Sequence, residues 1–336
     1  MKSKTILIFQ KISDARLFIY GIAIIWIVIF HAHISAMPLY INFPVCKIGY
    51  GGVDLFILLS GFGIYCSLNK NSNEIEFYKK RVRRLLPVIP IMILYVVFSH
   101  ITSFHQIVGY ILNINTFVSD KFVNGSYRHF WYISAILIFY LIAPILYRII
   151  NDNKKNVIYL ILLSLLFIIP FWGNKNLIIV ARLPLFIFGM FCGYLYKHEI
   201  NVSKNIILLT HVLGGISFVS LILCYLYVGE LKYYYGLIRY PFYFIAPSLC
   251  ISLSYLYSFL KQNNILKQIL KLPEKIGSMS LEIYLTDALF TCGCIPFIAM
   301  VSWGGGKIVL NIICGTLYYL IWNTIKKGVK IVTKSR

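Results

Sequence analysis

Charge is what this sequence has least of: 13% of its 336 residues are Asp, Glu, Lys or Arg, against 59% that are hydrophobic. A water-soluble globule of that length needs more polar surface than this to cover it, so a soluble fold is excluded. Acidic residues are scarcer still, 11 against 32 Lys and Arg, which leaves a formal net charge of +21. The basic residues sit in short clusters between long apolar runs instead of forming a stripe, and this argues against nucleic acid as a partner. Cys-x-x-Cys pairs are absent. Most of the 8 cysteines (Cys66, Cys192, Cys224, Cys250, Cys292 and Cys314 among them) lie within apolar runs, so neither a disulfide framework nor a metal site is indicated. Long Gly/Ser-rich or Pro-rich linkers are missing too, which leaves residues 1–336 as one domain. No internal repeat is evident, and that weighs against an inverted-repeat transporter.

What is present is apolar sequence of spanning length. Mean hydropathy is +0.78. Apolar stretches fall at about 17–36, 50–68, 85–103, 129–150, 156–172, 177–196, 205–228, 236–259, 280–300 and 306–323, each close to the ~20 residues that a bilayer core requires. The expectation is an all-α, polytopic bundle of about ten transmembrane helices. Lys2, Lys4 and Lys11 precede the first run as they would in a signal peptide, but the run is long enough to span and is read as an uncleaved first helix. Segment 104–128, polar at both ends, reads as an interfacial excursion. Under this layout 24 of the 32 Lys and Arg fall on one side and 7 on the other, with Arg182 inside a span. Cytoplasmic loops carry the excess of positive charge, so both termini are expected inside, in a multi-pass protein of a bacterial inner membrane.

Ionisable groups within spans are costly in hydrocarbon and mark function by default. They are His31 and His33 in the first apolar segment, Asp54 in the second, Arg182 in the sixth, and Glu282 and Asp287 in the ninth. His31 and Asp54 lie at similar depth on successive spans. A carboxylate beside an imidazole fixes its tautomer and raises its basicity, as a general base acting on a hydroxyl requires. Mutual satisfaction of two polar groups on adjacent helices accounts for the same placement. The run Lys79, Lys80, Arg81, Arg83 and Arg84 is the densest basic cluster. It reads either as a topology signal or as a grip on a phosphate-rich ligand, where guanidinium forks bind bidentately. His129, Trp131 and Tyr132 open the fourth span as an interfacial aromatic belt would, and Tyr284 is either a buried hydrogen-bonding group or filler.

Several segments together resemble the integral-membrane acyltransferase type 3 family, whose members acylate cell-surface glycans. The resemblance rests on Ile27-Val28-Ile29-Phe30-His31-Ala32, on Gly51-Gly52-Val53-Asp54-Leu55-Phe56 continuing to Ser60-Gly61, and on Arg81-Val82-Arg83-Arg84-Leu85-Leu86-Pro87. Weaker matches are His129-Phe130-Trp131-Tyr132, Arg182-Leu183-Pro184-Leu185-Phe186 and Ser280-Leu281-Glu282-Ile283-Tyr284-Leu285. The resemblance implies an acyl-CoA donor from the cytoplasm, an essential His31, and donor binding by Arg81, Arg83 and Arg84, with no permanently bound cofactor. Two positions depart from the family pattern. Where relatives carry Arg, eleven residues before the His, this chain has Tyr20; it returns to within about 20° of the His31 face, and Arg16, about 60° away, is the candidate substitute charge. Where many relatives have His, this chain has Asp287, to which no proton-transfer role is given.

The expected activity is transfer of an acyl group, acetyl foremost, from acyl-CoA to a hydroxyl of a surface polysaccharide or its lipid-linked precursor, by a membrane-bound O-acyltransferase. His31, oriented by Asp54, acts as base; Arg81, Arg83, Arg84 and Arg16 hold the donor; Tyr20, Trp131, Arg182, Glu282, Tyr284 and Asp287 support the site. The partners are membrane lipid, a glycan acceptor and acyl-CoA. The competing reading is a transporter or flippase-like component of glycan export, whose intramembrane charges would line a substrate path.

Overall fold

The computed structural model describes residues 8–32, 34, 39–114, 129–174, 176–229, 231–293 and 304–334, and every regular element among them is helical. The principal helices are α1 (Ile8–Asp14), α2 (Arg16–His31), α3 (Gly52–Lys70), α4 (Glu74–Leu85), α5 (Val88–Phe98), α6 (Phe104–Ile111) and α7 (Trp131–Asp152). They continue as α8 (Asn156–Leu166), α9 (Leu183–Lys197), α10 (Lys204–Tyr227), α11 (Phe242–Gln262), α12 (Leu266–Ser278), α13 (Ser280–Thr291) and α14 (Gly304–Lys334).

Each of the ten apolar stretches coincides with a helix, but not each helix is of spanning length. Among the described residues six are long and apolar enough to cross a bilayer: 49–70, 131–152, 177–197, 204–227, 242–262 and 304–328. A seventh results if α1 and α2, bent by 64° at their junction, are taken together. The stretch 85–103 yields only the 11-residue α5, because the chain turns left-handed at His100 (φ 52°) before α6 begins. The helix over 156–171 is also short, and α13 has 12 residues, with 294–300 outside the described residues. Segment 115–128 and His33 lie outside them as well.

Close helix approach at small residues sets which polar groups meet. A β-carbon on Gly61 of α3 would stand 2.3 Å from the Phe186 carbonyl oxygen, and one on Gly189 of α9 would stand 2.1 Å from that of Leu58. Backbones packed this tightly tolerate only Gly, as small-residue interfaces between membrane helices do. The consequence is that the start of α9 is pinned beside the start of α3. In α4, Asn73 caps the first turn by accepting from the Glu76 N–H at 3.1 Å, with Glu74 and Glu76 at the N-terminal end and Arg83 and Arg84 at the C-terminal end. That charge order complements the helix dipole, so the arginines sit where the peptide dipoles favour cations.

Candidate active site

His31 is the last residue of α2 and is mostly buried. Its Nδ1 lies 2.5 Å from Oδ2 of Asp287 on α13. The other carboxylate oxygen of Asp287 accepts from Asn311 Nδ2 of α14 at 2.6 Å, and Asn311 Oδ1 is 2.8 Å from Thr286 Oγ1. Asp287, Thr286 and Asn311 are all buried. With Asp287 ionised, Nδ1–H of the neutral imidazole donates to it and leaves Nε2 unprotonated, as a proton acceptor. The His31 ring also meets the His129 ring edge to face, with centroids 5.5 Å apart. The backbone of His129 is held in turn, since Tyr284 Oη of α13 donates to its carbonyl oxygen at 2.6 Å.

The expected pairing of His31 with Asp54 is therefore corrected: the carboxylate against the imidazole is that of Asp287. Asp54, near the start of α3, faces Arg182 instead. Arg182 Nε is 3.0 Å from Oδ1, and Nη2 donates to Oδ2 at 3.2 Å. Both side chains are only 2% exposed. Nη1 donates to the Ile178 carbonyl oxygen at 2.8 Å, and the guanidinium carbon sits 4.5 Å from the centre of the Trp131 ring. The physical reason is strength of partner: a buried guanidinium is a permanent charge with a bidentate fork, which a neutral imidazole cannot match. Equal depth along two spans put His31 and Asp54 on one level, but helix packing turned them toward different neighbours.

Between the His31–Asp287 pair and the arginine cluster lies a narrow cavity of about 520 Å³, its mouth included. Tyr20 and Ile27 of α2, Ser60 of α3, Arg84 of α4, Tyr132 and Tyr140 of α7, and Leu281 and Tyr284 of α13 contribute to its wall. The cavity thus runs along the same two helices, α2 and α13, that carry the pair. Ile27 is four residues before His31 and Tyr284 three before Asp287, so this end of the cavity lies about one helical turn from the imidazole. At the other end stands Arg84. Tyr20 stacks on Phe56 with centroids 5.1 Å apart, and the charges of Arg16 and Arg84 both act on it. The Arg16 guanidinium rests against α3 at Gly63. Arg81 lies over the rings of Phe77 (5.0 Å) and Tyr140 (5.4 Å); burial pushes its guanidinium below the ordinary value, partly offset by Tyr140, and an arginine so placed remains charged. Arg83 is exposed and lines no part of the cavity. Glu282, buried in the first turn of α13, has Lys326 and Arg84 as its charged neighbours.

The structure thus gathers Arg16, Tyr20, Arg84 and Glu282 at one end of a cavity, His31, Asp287 and Tyr284 toward the other, and Asp54, Arg182 and Trp131 in a separate buried cluster. Asn311 was missed by sequence reasoning, and His129 was read only as part of an interfacial belt and a weaker family match, not as a neighbour of His31. Asn311 left a signal, an amide within the apolar run of α14, of the sort that bonds across membrane helices. No group of three or more metal-ligating side chains occurs among the described residues.

A bundle of apolar helices enclosing a His–carboxylate pair and a cavity with an arginine at one end defines a multi-pass membrane protein built around a polar centre. The family model described as an acyltransferase domain matches residues 19–325, and the chain belongs to that family, acyltransferase type 3. No curated protein and no solved structure matches the chain.

Proposed function

We propose that this membrane acyltransferase moves an acyl group, acetyl foremost, from its CoA thioester to a hydroxyl of a surface polysaccharide or its lipid-linked precursor. The observation that carries the reading is a cavity with Arg84 at one end and Ile27 and Tyr284, one turn from the His31–Asp287 pair, at the other. A CoA phosphate suits a guanidinium fork, and the narrow wall between, uncharged but carrying the hydroxyls of Ser60, Tyr132 and Tyr140, suits the amide-bearing, uncharged arm of a thioester. Nε2 of His31 takes the acceptor's hydroxyl proton as the oxygen attacks the thioester carbonyl; the new ester C–O bond forms, the C–S bond breaks, and the thiolate leaves to be protonated. Asp287, not Asp54, holds the imidazole in the required tautomer and favours the imidazolium that forms. Asp54 and Arg182 keep α3 and α9 in register beneath that chemistry.

On this reading about ten helices cross a bacterial inner membrane with both termini inside, the shorter α5, α8 and α13 serving as partial or broken spans. The basic helix α4 that carries Arg84 is then cytoplasmic, where acyl-CoA is found, and His31 lies toward the outer face, where a glycan is acylated. The test uses isolated membranes given acetyl-CoA labelled in the acyl group and extracts of surface glycan. Label appearing in an alkali-labile glycan ester, and absent with His31→Ala, is the expected result. Transport of the glycan precursor without consumption of the thioester would favour an export role instead.

A further inference from the structure

A second cavity, away from the polar centre, lies between α1, α3, α9, α10 and α11. It holds about 1090 Å³ of atom-free space, mouth included, and apart from Asn201 and Thr210 every side chain on it is apolar or a cysteine. Water entering such a space finds almost no partners. Left empty, the lining would forgo the contacts that close packing otherwise supplies. Along α9 the cavity extends from Phe188 to Leu195, about 10 Å of helix rise, against about 15 Å for half of a bilayer's hydrocarbon core. Its depth is that of a chain held within one leaflet.

One end carries charge. There α1, bent by 64° from α2, turns Ile8, Phe9 and Ile12 inward, and Asn201 and Val202 precede α10. Lys11, Lys197 and Lys204 each stand within two residues of a lining side chain. Lys11 Nζ rests 4.0 Å from the centre of the Tyr255 ring and Lys197 Nζ 5.2 Å from that of Tyr196. None of the three forms an ion pair among the described residues, and Glu199, the acidic residue between them in sequence, pairs with none of them. An apolar slot one chain deep, with three lysines near its rim that form no ion pair among the described residues, is complementary to one ligand class.

We propose that this slot holds an acyl chain of an anionic phospholipid whose phosphate lies among Lys11, Lys197 and Lys204. It is a bound lipid of the leaflet on the lysine side, which the distribution of basic residues makes the cytoplasmic one. The proposal is independent of the acyl-transfer chemistry.

The test begins with the unmodified protein, reconstituted with phosphatidylglycerol bearing a photoactivatable diazirine late in one acyl chain. Adducts on 188–195 of α9 and 247–251 of α11 are expected. Adducts confined to the outward faces of α10 and α14 would overturn the proposal. The same probe with a phosphatidylethanolamine headgroup should give at least three-fold fewer slot adducts; equal labelling would overturn the headgroup assignment. A Cys192→Trp/Cys250→Trp variant that fills the slot should lose slot labelling at unchanged melting temperature, and Lys11→Gln/Lys197→Gln/Lys204→Gln should lose the headgroup preference. Slot labelling that survives the filled variant would count against a chain seated there.

Discussion

Nδ1 of His31 and Oδ2 of Asp287, at the end of α2 and near the end of α13, stand 2.5 Å apart although 256 residues separate them in sequence. The ring nitrogen engages one carboxylate oxygen and Asn311 secures the other, so the carboxylate is held from both sides. Asp287→Asn removes the charge that favours imidazolium and lets the ring adopt the other tautomer. Turnover per inserted molecule is expected to fall by about 10²–10⁴-fold with little change in the apparent affinity for acyl-CoA. Steady-state kinetics on purified Asp287→Asn check it; wild-type turnover would remove Asp287 from the mechanism.

Asp54 and Arg182 give the opposite signature. Each is buried, and each is the ion-pair partner of the other, so Asp54→Asn or Arg182→Gln strands a charge or a fork in a dry interior. Breaking a buried pair in this way costs about 3–5 kcal/mol, whereas replacing both members with apolar groups is often neutral. Single variants should therefore express poorly and melt early in detergent, and Asp54→Leu/Arg182→Met should recover much of the loss. Single variants that melt like wild type would mean that the pair is solvated and dispensable.

These two carboxylates also show what was legible in the sequence. That Asp54, Arg182, Glu282 and Asp287 matter could be read directly, because charge is rare in apolar runs and expensive there. Which of them pair could not, since position along a span gives depth but not rotation or neighbour. The neighbour was decided by contacts such as Gly61 on Phe186 and Gly189 on Leu58, which seat the start of α9 against α3 and bring Arg182 to Asp54. Hydropathy located all ten apolar segments but not their helix lengths: the turn at His100 cuts α5 short, a backbone event with no apolar signature. Asn311 escaped notice because it is uncharged, yet it fixes the carboxylate that His31 uses.

The two arginines at the end of α4 should separate. Both are exposed, but Arg84 lines the cavity and Arg83 does not. Arg84→Gln is expected to raise KM for acyl-CoA about ten-fold or more, as loss of a charge-assisted hydrogen bond of about 1.5–3 kcal/mol implies. Arg84→Lys should restore part of that, since a point charge replaces the charge but not the fork. Arg83→Gln should stay within about two-fold. If the Arg83 variant has the larger KM effect, the donor approaches by another route.

Sidedness is tested at Ser72, exposed in the turn before α4; Asn73 is avoided because its side chain caps that helix. In a background lacking other cysteines, Ser72→Cys in intact cells should resist a membrane-impermeant thiol reagent and react after permeabilisation. Modification in intact cells would place the arginines outside and reverse the proposed direction of transfer.

The last expectation concerns the two rings that meet at the end of α2. His31 has Asp287 on its Nδ1, and His129 stands edge to face with it at 5.5 Å, its backbone carbonyl bonded by Tyr284. If His31 is the base, His31→Ala abolishes measurable transfer, because the imidazole that Asp287 holds with Nε2 open to a proton is then gone. His31→Gln should not rescue, for an amide accepts a hydrogen bond but takes no proton at neutral pH. The His129 ring packs edge to face on that of His31 and so limits its tilt; His129→Ala should therefore slow turnover by about ten-fold while His129→Phe, which keeps an edge-to-face partner, retains most of it. Tyr284→Phe frees the His129 carbonyl and should resemble His129→Ala in turnover while leaving KM for acyl-CoA near its original value. The measurement is turnover per correctly inserted molecule for the five variants. Near-wild-type transfer by His31→Ala, or a complete loss in both His129→Ala and His129→Phe, would move the proton acceptor from His31 to His129.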